Sequence, residues 1–308
     1  MLIKAFVCGS SGTTGLELLS RLEKTDGVEP VLLPETVRHD ENAAGEAMRN
    51  CDVTFLCLPD DAALRMAELA PKDKLVIDSS TAHRVAAGWV YGFPELSHAQ
   101  KTELIGARRI ANPGCHATGF ISLVAPLVAA GTIKSDTRLS CYSLTGYSGG
   151  GKKMIAEYEA QARPRELDSP RHYSLGLSHK HLPEMKKYGG LDVAPLFEPI
   201  VCDFYRGMAV TVPLFSDELG GAGVGDLIEL YRAYYAGCSL IEVSAAPAGG
   251  YIAANELAGT DRLKIYVRGG GDMISLTAVF DNLGKGAAGA AIQNMRLALG
   301  LGDDGFIN

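Results

Sequence analysis

The chain has 308 residues, 47% of them hydrophobic and 21% charged, which is enough apolar material for a packed core in each of two domains. Its net charge of -7 argues against a nucleic-acid binder and against an anionic membrane surface as partner, although a small basic pocket for an anionic substrate is compatible with it. No apolar run reaches the length of a membrane span, and the start, Met1-Leu2-Ile3-Lys4, runs straight into a strand-like segment, so a cytoplasmic protein is expected.

Leu2 to Cys8 reads as a strand, followed by the glycine loop Gly9-Ser10-Ser11-Gly12-Thr13-Thr14-Gly15 and a helix carrying Leu16, Leu18, Leu19 and Leu22 on its apolar face. Val28 to Leu33 is a second strand, Ala43 to Met48 a short helix, and Val53 to Leu58 a strand apolar enough to be buried on both faces. Asp60 to Leu69 is helical, and Leu75 to Asp78 is a fourth strand ending at Ser79-Ser80-Thr81. This alternation predicts an α/β fold with an N-terminal Rossmann-type, doubly wound parallel sheet over residues 1–114. After an apolar helix from Phe120 to Ala130 the pattern changes. Leu139 to Leu144, Pro199 to Phe204, Gly207 to Leu214, Ile265 to Val267 and Met273 to Asp281 read as strands without regular intervening helices. An α+β catalytic domain with a mainly antiparallel sheet is therefore expected over 115–282. The alanine-rich segment 283–308 is expected to supply a helix that packs back on the first domain.

The spacing Gly9-x-x-Gly12-x-x-Gly15, between a strand and a helix, is the context a dinucleotide loop needs. Glycines let the backbone approach a pyrophosphate, and the helix N-terminus meets its charge. A plain strand-to-helix turn is the competing reading. Behind the second strand, Glu35 suits a ribose hydroxyl, whereas Arg38 and His39 suit a 2′-phosphate, so residue chemistry leaves NAD and NADP both open.

Seven cysteines are present, with no Cys-x-x-Cys pair. Cys8, Cys51, Cys57, Cys141, Cys202 and Cys238 read as small buried apolar residues of a reduced protein. Cys115 differs. In Asn112-Pro113-Gly114-Cys115-His116 it follows a tight turn and opens an apolar helix, where the dipole and the first N–H groups favour a thiolate. A thiolate is the nucleophile of covalent acyl chemistry, and the general acid/base it needs at neutral pH is offered by His179 or His181 in Ser178-His179-Lys180-His181-Leu182-Pro183-Glu184. Glu184 is placed to orient an imidazole. A buried inert cysteine, a surface histidine loop and a metal site completed by Glu184 are the competing readings. No second cysteine stands at ligand spacing, so no metal is expected. The stretch from Tyr142 to Lys153 is read as a glycine turn able to hold phosphate, or as a flexible turn with solvated lysines.

With these residues assembled, the chain resembles the N-acetyl-gamma-glutamyl-phosphate reductase family, in its shorter bacterial form, within the semialdehyde dehydrogenase superfamily. The resemblance is carried by the glycine loop, by Asp78-Ser79-Ser80-Thr81-Ala82-His83-Arg84, by the stretch from Gly88 to Leu96, by Asn112-Pro113-Gly114-Cys115, by His179-Lys180-His181-Leu182-Pro183-Glu184, and by the stretch from Asn282 to Ala288. It implies NADPH-dependent reduction of N-acetyl-L-glutamyl 5-phosphate to the 5-semialdehyde with release of inorganic phosphate, in arginine biosynthesis. It implies Cys115 as nucleophile and a histidine as acid/base, assigned here to His181 with Glu184 behind it. His179, Asn112 and Lys152 are assigned to substrate. Gly9, Ser11, Gly12, Thr13, Thr14, Gly15, Ser79, Ser80, Gly149 and Asn282 are assigned to NADP. A homo-oligomer, dimer or tetramer, is also implied. The chain departs from the family where His116 replaces a frequent Tyr and Leu182 a frequent Thr. The alternatives are a sibling acyl-phosphate reductase acting on an aspartyl or aminoadipyl phosphate and, remotely, a non-catalytic nucleotide-sensing Rossmann protein.

Overall fold

The structure, a computed structural model, describes residues 2–302. The chain divides into two units: one runs up to Gly114 and resumes at Ala287, the other runs from Cys115 to Gly286. Residues 303–308 of the C-terminal segment lie outside the described residues.

The first unit is built on six strands, β1 (Ile3–Cys8), β2 (Val28–Val31), β3 (Val53–Leu56), β4 (Leu75–Asp78), β5 (Val90–Tyr91) and β6 (Arg109–Ala111). They pair in the order β2-β1-β3-β4-β6-β5, with every pairing parallel. All residues of β3 and β4 are buried, as expected of strands covered on both faces. The helices of this unit are α1 (Thr13–Leu22), α2 (Glu41–Asn50), α3 (Asp60–Leu69) and α4 (His98–Leu104). Asp40 and Ser97 cap α2 and α4 through side-chain oxygens that accept first-turn N–H groups. The C-terminal helix Gly289–Ala298 lies against α1, α4 and β4. Its alanines permit close approach, and its amides are used inward: Gln293 Nε2 donates to Glu95 Oε1 at 2.9 Å, and Asn294 Nδ2 donates to Gly92 O at 2.9 Å.

The second unit holds a seven-stranded sheet of β7 (Ser140–Gly146), β8 (Arg171–His172), β9 (Leu196–Cys202), β10 (Met208–Phe215), β11 (Ile241–Ala245), β12 (Leu263–Gly270) and β13 (Met273–Phe280). Its order is β11-β12-β13-β10-β7-β9-β8. The pairs β12–β13, β13–β10, β10–β7 and β9–β8 are antiparallel, while β11–β12 and β7–β9 are parallel. The reading of the strands holds, and a few helices lie between them, as an α+β unit requires. α6 (Gly151–Glu159), α7 (Leu182–Tyr188) and α8 (Val224–Tyr234) join α5 (Cys115–Ala129).

α5 is apolar around its circumference because it is a core helix, packed on β10, β13, α7 and α8. Gly119 lets it approach the sheet, since a Cβ there would lie 2.4 Å from Val210 Cγ2. Pro126 sits inside this helix and has no N–H to give the carbonyl of Ser122. The hydroxyl of Tyr235 donates to that carbonyl at 2.7 Å, replacing the lost bond, and the hydroxyl of Tyr231 donates to the next one, Leu123 O.

Candidate active site

In the first unit, the expected nucleotide residues gather at the C-terminal edge of the parallel sheet, where open α/β folds bind ligands. The glycine loop follows β1, Ser79-Ser80 follows β4, and Asn112-Pro113-Gly114 follows β6. Gly9 adopts φ +87°, and a Cβ there would lie 2.3 Å from Cys57 O. A Cβ on Gly15 would lie 2.5 Å from Gly9 O, so this glycine too is required by the turn. Gly12 differs, because the space its Cβ would occupy is open, with nothing nearer than Gly9 O at 3.7 Å. It is the N-cap of α1 yet brings no side-chain cap, and the first turn carries no acid. Thr13 Oγ1 is buried and finds no partner among the described residues. An open, uncapped and acid-free helix start with an unused hydroxyl fits a pyrophosphate. Ser11 lies exposed in the same loop, with Thr14 half-buried behind it.

Ser80 has a different task. Buried Asp78 accepts from Ser80 N at 2.9 Å and from Ser80 Oγ at 2.6 Å. The same carboxylate stands 2.6 Å from His83 Nδ1, and His83 stacks on Trp89 with ring centroids 3.9 Å apart. Asp78, His83 and Trp89 thus form one group. It fixes the turn after β4. Beyond β2, Arg38 Nη1 pairs with Glu35 Oε1 at 2.6 Å, and Arg38 Nε meets His39 Nε2 at 3.1 Å. Glu35 is thereby engaged by Arg38, and the Arg38 guanidinium, with the ring of His39 against it, stands where a 2′-phosphate would be accepted.

Asn112 was assigned to substrate, but the structure uses its side chain internally. Nδ2 donates to Ala287 O at 2.9 Å, and Oδ1 accepts from Asn294 Nδ2 at 3.0 Å. Asn112 thus ties the loop before Cys115 to the start of the C-terminal helix.

In the second unit, Cys115 is the first residue of α5 and is partly exposed. Burial pushes the thiol of Cys8 up to about 11 and that of Cys57 up to about 12, and it also raises those of Cys51, Cys141 and Cys202. These five are inert at neutral pH, whereas Cys115 has a helix N-terminus beside it. Gly286 presses on it from the other side, where a Cβ would lie 2.9 Å from Cys115 Cβ. The turn that carries Gly286 is held by Asp281, whose Oδ1 accepts from Leu283 N at 2.7 Å and Gly284 N at 3.2 Å.

His116, His179 and His181 form one cluster. Their ring centroids are 5.3 Å apart for His116 and His179, 5.5 Å for His116 and His181, and 4.7 Å for His179 and His181. Phe197 of β9 meets the edges of His116 and His179 and supplies an apolar wall. His181 is buried at the N-terminus of α7, and Glu184 is buried one turn into that helix. The backbone N–H of His181 donates to His179 Nδ1 at 3.2 Å. Neutral His179 therefore carries its proton on Nε2 and presents a donor there. Burial holds His116 well below the usual imidazole range, and protonation of nearby His179 would lower it further.

Sequence reading missed two members. Ser143 Oγ lies 2.8 Å from His116 Nδ1, and Tyr173 Oη lies 2.6 Å from His116 Nε2. Burial, then the charge of Cys115, raises the Tyr173 phenol, so it stays protonated. Two non-glycine residues in the left-handed region, Ser174 (φ 54°) and Leu177 (φ 53°), shape the loop between Tyr173 and His179.

Asn282 and Gly149, both assigned to cofactor, are brought together. Asn282 Nδ2 donates to Ser148 Oγ at 2.9 Å and would lie 3.4 Å from a Gly149 Cβ, while Asn282 Oδ1 accepts from Gly207 N at 2.9 Å. Lys152 is not built into the histidine cluster. The glycine turn ends at Gly150, α6 begins at Gly151, and Lys152 lies exposed in its first turn.

Two family descriptions match the chain: "Semialdehyde dehydrogenase, dimerisation domain" over residues 115–282 and "Semialdehyde dehydrogenase, NAD binding domain" over residues 33–104. Among curated relatives, the N-acetyl-gamma-glutamyl-phosphate reductase of Brucella anthropi is 42% identical over 306 residues, covering 96% of this chain and 98% of the relative. The enzyme of the same name from Allorhizobium ampelinum is 43% identical over 308 residues, covering 97% and 99%. Aspartate semialdehyde dehydrogenase II of Vibrio cholerae, solved in complex with ASA, matches with a TM-score of 0.73 at 18% identity, covering 97% of this chain and 98% of that one. Aspartate semialdehyde dehydrogenase of Candida albicans, solved with NADP, matches with a TM-score of 0.70 at 17% identity, covering 98% and 99%. At such identities the structural likeness shows the fold alone.

Proposed function

The chain belongs to the N-acetyl-gamma-glutamyl-phosphate reductase family of semialdehyde dehydrogenases, and from that premise we propose that it reduces N-acetyl-L-glutamyl 5-phosphate to N-acetyl-L-glutamate 5-semialdehyde, with NADPH as reductant and release of inorganic phosphate. The observation that carries this reading is Cys115, a partly exposed thiol at a helix N-terminus in the same unit as a cluster of three histidines.

In the cycle, His181 takes the thiol proton and the Cys115 sulfur attacks the acyl carbon. The carbon–oxygen bond to phosphate breaks, the proton passes from His181 to the departing phosphate, and a thioester is left on Cys115. Glu184 orients His181. NADPH, when bound, supplies the hydride that reduces the thioester carbon. The Cys115 backbone N–H and neighbouring first-turn donors of α5 stabilise the resulting oxyanion. Its collapse breaks the carbon–sulfur bond, releases the aldehyde and returns the thiolate, which regains a proton through His181. The glycine loop of the first unit, with Gly12, Thr13, Thr14 and Gly15, would hold the pyrophosphate, and Arg38 with His39 the 2′-phosphate.

The proposal places the protein in arginine biosynthesis in the cytoplasm, as a homo-oligomer, dimer or tetramer. The match to a dimerisation domain supports assembly. No helix among the described residues is long and apolar enough to cross a membrane. The test is the reverse reaction, in which N-acetylglutamate semialdehyde, phosphate and NADP should give phosphate-dependent reduction of the nicotinamide, lost after alkylation of the protein. Reduction with aspartate semialdehyde instead would move the substrate to the sibling enzymes.

A further inference from the structure

We propose that His116 is a positioning residue for this reaction: anchored by Ser143 at one ring nitrogen, it holds the Tyr173 hydroxyl beside Cys115, where that hydroxyl donates to the acyl oxygen of the bound substrate. The inference rests on the function proposed above and names three residues that the cycle does not use.

The geometry is a chain of three groups, with Ser143 and His116 buried and Tyr173 half-buried. Ser143 Oγ, on a strand paired on both sides, stands 2.8 Å from His116 Nδ1, and Tyr173 Oη stands 2.6 Å from His116 Nε2. His116 is 3% exposed and Ser143 0%, so water does not compete for either ring nitrogen. A buried imidazole kept neutral has one donor nitrogen and one acceptor nitrogen. In one arrangement Ser143 donates to Nδ1, and Nε2–H donates to the Tyr173 oxygen. The phenol proton is then unspent and is presented to the nucleophile's surroundings. In the reverse arrangement the phenol spends its proton on Nε2 and turns only lone pairs outward. His116 follows Cys115 directly at the start of α5, so the phenol that it holds stands near the nucleophile, and after burial the charge of Cys115 raises that phenol further. A thiolate, and after its attack the acyl oxygen, call for a donor, which selects the first arrangement. Because Tyr173 is raised by burial it remains a donor throughout the working range. His116 itself touches no reacting atom in this scheme. It acts by fixing one hydroxyl, and the loop beyond Tyr173 is held in its own turn by the bond from Leu177 N to Ser174 O at 2.9 Å.

The experiment measures phosphate-dependent NADP reduction with N-acetylglutamate semialdehyde for wild type, Tyr173→Phe, His116→Phe, His116→Gln and the double variant Tyr173→Phe/His116→Phe, with thermal melting of each as a check on folding. Tyr173→Phe and His116→Phe should each lower kcat roughly 100- to 1000-fold, the range for one lost donor to a developing charge, with a smaller change in KM. The double variant should fall no lower than Tyr173→Phe, because both single changes remove the same hydroxyl. His116→Gln, whose amide N–H reaches toward the place of Nε2, should keep most of the wild-type kcat and should remain informative even if His116→Phe fails to fold. Wild-type kcat in Tyr173→Phe, or losses that multiply in the double variant, would overturn the proposal. A wild-type protein silent with every aldehyde would overturn the functional reading and take this inference with it.

Discussion

Tyr235→Phe removes a single oxygen, yet it should cost far more than a surface change, because that oxygen donates the proton that Pro126 cannot. The carbonyl of Ser122 lies four residues before Pro126 and has no helical donor. The Tyr235 hydroxyl meets it at 2.7 Å, with Tyr235 4% exposed and Ser122 0% exposed, so water does not replace the lost bond. A buried acceptor stranded in this way costs about 1–3 kcal/mol. The reasoning is tested by repeating the change in a Pro126→Ala background, where residue 126 regains an N–H and the helix supplies its own donor. There the cost of Tyr235→Phe should fall by about 1 kcal/mol or more. Urea unfolding of the four proteins, compared at constant slope, measures the coupling. If Tyr235→Phe costs the same in both backgrounds, the phenol is not the substitute for the missing helical bond.

Other consequences concern the site. Gly15→Ala should destabilise the first unit by about 1–3 kcal/mol, since its Cβ would lie 2.5 Å from Gly9 O. Gly12→Ala should change stability by less than about 1 kcal/mol while weakening NADP binding at least about tenfold by filling the open space at the helix start. Calorimetric titration separates the two, and wild-type affinity in Gly12→Ala would remove the pyrophosphate from that position. Gly286→Ala, whose Cβ would lie 2.9 Å from Cys115 Cβ, should lower both kcat and the rate of Cys115 alkylation more than it lowers the unfolding midpoint. Burial depresses His116 in the folded state, so below the ordinary value of 6.5 the unfolded chain binds more protons at this residue. Its contribution to stability is full above about 6.5 and is lost as pH falls from there toward the folded value. Urea midpoints at pH 5 and 7.5 should therefore differ more in wild type than in His116→Gln, and equal differences would place the acid sensitivity elsewhere.

The parts of this protein legible in its sequence are those set by local constraint. A glycine loop between a strand and a helix, a Pro-Gly turn before Cys115 and a His-x-His pair before α7 each lie within a few residues, and the structure places them at a sheet edge or a helix start. The two-residue strand β5 and the three-residue strand β6 were not legible, because neither is long enough to show a period. Ser143 and Tyr173 were also missed. They stand 27 and 57 residues from His116 and meet it only through the register of β7 and the course of the loop after β8. Asn112 spends its side chain on Ala287 O and on Asn294, the latter 182 residues away. Side-chain spending of this kind depends on tertiary pairing that no local pattern records.

The most direct measurement is phosphate release in a single turnover without dinucleotide. Mixed with N-acetylglutamyl phosphate alone, the protein should release about one equivalent of phosphate per subunit in a burst. It should gain the mass of the acyl group on the peptide that contains Cys115, and Cys115→Ser should show neither while still binding NADP. No burst, or an acyl group on any other residue, would contradict the assignment of Cys115 as the nucleophile.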